Sequence, residues 1–416
     1  MKTMKSTSKK FFDVSIAGHQ TKGDPATLAW NKNQKLLQGL GDNTLNCLCI
    51  PQAPPQLSVR RKNTRYFPAR WPNTNLLHHP GCHYYSSYQK KNLNDDTKPA
   101  VSELDDGGLR VHLLTSLQVA GAQKKVVIAT DPVTRTGVQK RQERAKDRHV
   151  FNLLWEQAGL TSFSGAKAQK LTWFLIAQRL MHAAGEMVIS KSGEKLSDYL
   201  LIAGPNSSRN LQEHNSRVLD LPERRYFIVG QLKSVTVRDD QGKPNALLPL
   251  RDAIDGIKLN VSRKKFNKYA RRWPLLEKAT EMSGHVLVFA CITPKKTFGT
   301  GTDRWFEVTQ LCLLPVSGHY IPVESSYELT FAEYLIKEKR DFGKPIASQN
   351  NGAVRPDFVL YDTAPVTFVE VWGMDTPDYR ERREEKVKYY TDNQLSLLEW
   401  DAQANMSLPD LPQSVK

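Results

Sequence analysis

What this 416-residue chain lacks narrows its function first. It has no run of about 18 apolar residues, the length a membrane-spanning helix needs. The opening "MKTMKSTSKKFFDVSIAGH" has a basic flank with no apolar segment behind it, so it reads as the start of a cytosolic protein, not a signal peptide. A phosphate-binding G-x-x-x-x-G-K-[ST] loop, a G-x-S-x-G elbow and an H-E-x-x-H pair are all missing, which argues against an energy-driven motor and against a small-ester hydrolase. "GTGTDRW" at 299–305 has the glycines of a turn without a phosphate-loop lysine and reads as a hairpin. No internal repeat recurs at a fixed period. Acid is also short relative to base: 43 Asp and Glu stand against 59 Lys and Arg, a formal charge of +16. Such an excess predicts a polyanionic partner, DNA or RNA.

The cations cluster, in "RRKNTR" from 60, "KRQERAKDR" from 140 and "RKKFNKYARR" from 263. The last carries Phe266 and Tyr269 among its charges, a mixture suited to phosphates and exposed bases. It supplies Arg263, Lys264, Lys265 and Arg271 as nucleic-acid candidates. A solvated helix face would look similar.

Composition divides the chain into a flexible basic start (1–40), a small module and linker (41–110, the linker from 91), a mainly helical segment (111–224), a β-rich segment (225–324) and a compact last unit (325–416). "HVFNLLWEQAGL" and "KAQKLTWFLIAQRLMHAAGE" show helical periodicity around "TSFSGA". They read as a helical hairpin on a core, with a DNA-binding helix-turn-helix as the rarer alternative. "RYFIVGQLKSVTV", "HVLVFACITP", "WFEVTQLCLLPV" and "HYIPVES" read as strands of a mixed or barrel-like sheet that could serve as a nucleic-acid platform. The last unit reads helix ("SSYELTFAEYLIKEKR"), strand ("PDFVLYD"), strand ("VTFVEVWG"), helix ("PDYRERREEKVKYYTD"), strand ("LSLLEWDA"), an α/β order.

Two acids in that unit need an explanation. Side chains alternate along a strand, so Phe368, Glu370 and Trp372 share one face and Val369 and Val371 the other. Asp357 opens the preceding strand after a proline. If the two strands pair through "DTAP", Asp357 and Glu370 meet at one sheet end, where they repel unless a cation lies between them. Magnesium or manganese, held by one or two carboxylates with water and phosphate oxygens, meets that need. The structural alternative pairs Glu370 with Arg380 or Arg383.

The motif Pro-Asp, spacer, Glu-Val-Trp-Gly resembles the PD-(D/E)xK restriction-endonuclease-like nucleases, in particular the branch of the very-short-patch mismatch endonucleases. The resemblance implies a metal-dependent DNA endonuclease on an α/β fold, with Asp357 and Glu370 as magnesium ligands and Glu328 of the leading helix as a further acid. The family lysine, two residues past the glutamate, is Trp372 here. In relatives where that lysine migrates to the following helix, the position corresponds to Lys386, with Lys388 second. That helix puts Tyr379, Arg383 and Lys386 on one face, and with Arg380 it adds cations for nucleic acid. Such nucleases often act as homodimers, although no residue here marks an interface. Over most of its length the chain also resembles an uncharacterised bacterial family of plasmids and integrative conjugative elements, through "CLC", "RWPNTNLLHHPGCHYY", "LLWEQAGL" and "RPDFVLYD…VEVWGMDTPDYRERREEK". This implies a mobile-element setting with partner proteins of that element. Without the lysine, the other reading is a non-catalytic nucleic-acid-binding or assembly protein.

Only five cysteines are present, and three fall close together. Cys47-x-Cys49 and Cys82 of "HHPGCH" suggest a zinc-tied module rather than disulfides in a cytosolic chain. A structural zinc takes four S/N ligands. His78 and His79 compete for the fourth place with His83 trailing, and the four-residue spacing to Cys82 favours His78. The pattern resembles an altered zinc-binding SWIM module. Cys291 and Cys312 lie in apolar strands and read as core residues.

Overall fold

The computed structural model describes residues 12–23, 31–40, 45–62, 64–71, 82–85, 97–104, 109–117, 141–165, 171–204, 209–219, 224–240, 243–251, 257–270, 284–294, 305–346 and 354–415, with 28, 74, 77–79, 275 and 281. The chain is mixed α/β, and among the described residues no helix is long and apolar enough to cross a membrane.

The described residues among the first 40 are not a loose arm. Val14–Ile16 pairs antiparallel with His19–Thr21 on one side and Leu45–Cys47 on the other. Val14 and Ile16 are fully buried, so a strand forms where basic neighbours suggested flexibility. The helix Asn31–Gln38 follows, then a hairpin of Leu57–Lys62 and Arg65–Arg70. The expected linker is also partly strand: Val101–Glu103 pairs with Leu109–Val111, with Val101 and Val111 buried.

In the middle of the chain seven strands make one mixed sheet, in the order 200–202, 226–231, 285–294, 305–316, 258–262, 243–249, 236–240. The order is open, not a barrel. Both faces of its central strands are covered, so those strands offer no open nucleic-acid platform. Leu287, Phe289 and Cys291 pack under the helices Asp147–Gln157 and Trp173–Gly185, while Val288, Ala290 and Ile292 join a second core on the other face. Tyr226–Gln231 is buried at every position, the pattern of a strand covered on both sides. "HYIPVES" forms no strand and adds only an isolated bridge between Val316 and Pro322.

The helix-turn-helix alternative fails on geometry. Helix Asp147–Gln157 is buried from His149 to Glu156, and the chain between the two helices contains the strand Ser162–Phe163. His149 in that helix is 6 % exposed, and burial lowers its pKa to about 4. Its folded pKa thus lies below the unfolded value of about 6.5. Stability is therefore full above pH 6.5 and is lost as pH falls toward 4. His149→Leu should unfold in urea with about 2 kcal/mol less loss between pH 8 and pH 5 than wild type.

The last unit positions the acids. Helix α1 (Ser326–Lys337) is capped by the Ser325 hydroxyl, which accepts from the Glu328 amide. Strands β1 (Phe342–Gly343), β2 (Phe358–Leu360) and β3 (Thr367–Trp372) form an antiparallel meander. Helix α2 (Pro377–Asp392) then crosses over to β4 (Ser396–Asp401), parallel to β3. Ser162–Phe163 adds a fifth strand beside β1. Phe358, Leu360, Val369 and Val371 pack on α1, through Phe331. Val359, Tyr361 and Phe368 face the other way, onto Tyr390 of α2 and the N-terminal module.

Candidate functional site

The expected hairpin forms. Phe358 pairs with Val369, and the Asp357 amide donates to the Val369 carbonyl at 2.9 Å, which sets Asp357 at the end of the ladder beside Glu370, whose carboxyl feels its charge. One Asp357 oxygen accepts from the Val371 amide at 2.9 Å. The Glu370 side chain is fully buried, with Lys386 Nζ at 2.6 Å from one oxygen and the Tyr390 hydroxyl donating to the other at 2.8 Å. Burial first, then the Asp357 charge, pushes Glu370 up to about 7, against the pull of Lys386 and Tyr390. An acid held this way favours a nearby cation.

Trp372 explains how a helix lysine reaches the strand. Its indole donates to Glu399 at 2.8 Å, which locks the ring in place. Tyr379 meets the ring edge-on, and Arg383 and Lys386 lie over it with centroid distances of 5.1 and 5.7 Å. The ring thus seats Lys386 against Glu370, whereas Lys388 is exposed. Arg380 and Arg383 do not pair with Glu370. Arg380 holds Asp375 at 2.6 Å, and Arg383 holds Asp401 and Glu399.

Glu328 does not join the Asp357–Glu370 pair. Its Oε2 lies 2.9 Å from Lys344 Nζ and accepts from the Glu324 amide at 2.7 Å. Lys344 is fully buried, 3.5 Å from Asp357 and above the Phe358 ring. Burial alone would lower its pKa, but Glu328, Asp357 and Glu324 together raise it, so it stays charged. Burial raises Glu328. Lys344, Arg355, Glu324 and Tyr390 were missed in the sequence. The available signal was a single cation within "DFGKPIA" and a second just before Pro356. Lys344→Met should cost about 3–5 kcal/mol in denaturant unfolding at pH 8, because Glu328 is left buried and unpaired. The cost should shrink at pH 5, where Glu328 takes up a proton.

The cysteine cluster is built from two loops. Cys47 ends its strand, Cys49 lies two residues on in a turn, and Cys82 follows a turn closed by its amide on the His79 carbonyl at 2.7 Å. Cys47, Cys49, His78 and Cys82 are all buried, with ligand atoms within 4.8 Å of one another. Cys47 Sγ to Cys82 Sγ is 3.6 Å, and His78 Nδ1 lies 3.5 and 3.8 Å from Cys49 and Cys82. A tetrahedron with zinc bond lengths has edges of about 3.6–3.8 Å, so the donor set and spacing fit a structural metal such as zinc. Hydrogen bonds from Cys49 and Cys82 lower the Cys47 thiol, while burial raises those two. One thiolate among buried thiols is what a cation would complete. His78, not His79, stands in the fourth place of the cluster, and the His79 amide donates to Cys49 Sγ at 3.4 Å.

The "RKKFNKYARR" cluster does not present its described aromatic. Phe266 is 8 % exposed in the second core, because helix Arg263–Ala270 packs on the sheet. Lys265 is tied to the Val308 carbonyl at 2.8 Å and Arg263 donates to Asn267, while Lys264 is exposed. Arg271 and the Tyr269 side chain lie outside the described residues, as does most of the "GTGTDRW" loop between the paired strands 285–294 and 305–316.

Together these features define a mixed α/β protein with a buried three-cysteine, one-histidine group and a C-terminal unit in which facing acids meet lysines. The chain belongs to the family described as "Protein of unknown function (DUF1173)", whose model matches residues 34–401. No curated protein and no solved structure matches the chain.

Proposed function

We propose that this protein is a metal-dependent DNA endonuclease of the restriction-endonuclease-like class, encoded by a mobile element and working in the cytoplasm. The observation that carries the reading is Asp357 beside Glu370 at the end of the paired strands, with the Lys386 ammonium 2.6 Å from Glu370. The order of helix, three-stranded meander, helix and parallel strand is consistent with that fold. Asp357 and Glu370 are hard oxygen donors on facing positions, and Asp357 is 17 % exposed, so the pair fits magnesium or manganese with phosphate oxygens completing the shell. When bound, the metal supplies an acidified water and screens phosphate charge. Lys386, 29 % exposed, orients Glu370 and can donate to a phosphate oxygen as charge builds on it. Tyr390 fixes the second Glu370 oxygen.

One observation favours the other reading, a nucleic-acid-binding or assembly protein on a degenerate nuclease fold. Each of the three acids already has a lysine within 3.5 Å. Incubation of supercoiled, linear and single-stranded DNA with the protein decides between them. Cutting that requires added magnesium or manganese supports the nuclease. Retention of DNA without cutting by any metal supports the platform.

A further inference from the structure

Outside the acid site, the middle of the chain carries two adjoining cavities of about 460 and 530 Å³. Leu114, Thr115 and Ser116 line both and form the partition between them. The partition is pinned on each side. The Leu114 amide donates to the Ala145 carbonyl at 2.9 Å, the Thr115 hydroxyl to Asp147 at 2.7 Å, and Arg225 to the Ser116 carbonyl at 3.0 Å. Leu114 itself is 52 % exposed, an apolar side chain held up between two hollows whose walls mix polar and apolar surface.

The charge around it is one-sided. Among the described lining residues, Arg144, Lys191 and Arg224 stand against Glu194 in the first cavity, and Lys146, Arg148 and Arg225 against Asp147 in the second. Arg224 lies over the Tyr199 ring and donates to its hydroxyl, which donates to Glu194, so that wall is braced. A chain of ion pairs runs from the rim of the second cavity toward the acid site. Arg148 pairs with Glu324 at 3.5 Å, and Glu324 holds Arg355 at 2.7 Å beside Pro356 and Asp357.

We propose that the two cavities form a binding site for a single-stranded polynucleotide, with unpaired bases entering on either side of Leu114 and phosphates meeting the rim cations. Each volume falls within the roughly 300–1,000 Å³ of pockets that enclose a small ligand. A duplex keeps its bases stacked inside and cannot send them into separate hollows; an unpaired strand can. The exposed Leu114 supplies an apolar face for a base, as wedge residues do. This site goes beyond the cleavage reading, since retention here needs no cutting.

Arg144, Lys146 and Lys191 are exposed, so reversing their charge tests binding without touching the core. Fluorescence anisotropy of labelled oligothymidylate is read on the full chain carrying Glu370→Gln, without added magnesium, alone and with Arg144→Glu plus Lys146→Glu. A second double variant, Lys35→Glu plus Lys337→Glu, lines neither cavity and controls for net charge. The rim variant should bind at least about tenfold more weakly than the control variant. Its salt dependence should be shallower by about 1.4 in log–log slope, because two phosphates are no longer neutralised. Leu114→Ala should weaken binding several-fold at unchanged slope. Equal binding by the rim and control variants overturns the site. So does an equal or larger loss for duplex of the same length, which would mark a general basic surface, or displacement of the oligomer by thymidine monophosphate at matched nucleotide concentration. Failure of the nuclease reading is seen separately, as wild-type protein that binds the strand without cutting it.

Discussion

Glu370→Ala is expected to reduce metal-dependent cleavage by at least about 10³-fold while DNA retention changes little. The side chain is fully buried and makes no contact that a distant phosphate backbone would use, so binding and cutting separate at this residue. Its loss removes one of the two neighbouring carboxylates, takes the Tyr390 hydroxyl's acceptor and leaves the Lys386 ammonium with the Arg355 carbonyl. Glu370→Gln keeps the shape and the Tyr390 partner, so equal inactivity of the two variants would locate the defect in the charge, not in collapse of the strand. Lys386→Met should lose less, about 10²–10³-fold, because it leaves both acids in place. Gel assays of supercoiled plasmid over a metal titration read all three. A Glu370→Ala protein that still cuts at the wild-type rate would remove the acid pair from the chemistry.

Loss of the metal from the three-cysteine, one-histidine group should have the largest effect on stability. Binding at such sites is worth on the order of 10 kcal/mol or more, and it is folding free energy because the ligands converge only when the chain folds. The four residues of the cluster come from two segments at least 29 residues apart in sequence. Purified protein should contain one zinc per chain, and Cys82→Ala should lack it. Thiol titration should release the metal in step with Cys47, Cys49 and Cys82. The effect should extend to the acid site, since the cysteines share a core with Tyr361, Phe368 and Tyr390, and Tyr390 holds Glu370. Limited proteolysis should then cut within residues 12–85. Three freely titrating thiols with an unchanged melting curve in chelator would leave the cysteines as apolar filling.

The fate of individual residues separates what is local from what is not. The face assignment of Phe368, Glu370 and Trp372, and the meeting of Asp357 with Glu370, followed from two-residue alternation and a short turn, both written in adjacent residues. The same holds for Cys47-x-Cys49 and for His78 four residues before Cys82. Phe266 went the other way. Its basic neighbours pointed outward, but the sheet beneath its helix claimed it for the core. Val14 and Ile16 likewise became strand because a partner, Leu45–Cys47, lies some 30 residues ahead.

By itself the sequence determined the charge balance, the alternating strands with their acids and the spacing of the cysteine ligands, since each depends on neighbours along the chain. Only the tertiary structure decided that Lys344 is buried between Glu328 and Asp357, that Trp372 seats Lys386, and that the cysteine module shares a core with Tyr390. Each of those depends on which distant segment removes water from a charge. Burial is a property of the assembled core, and no local pattern encodes it.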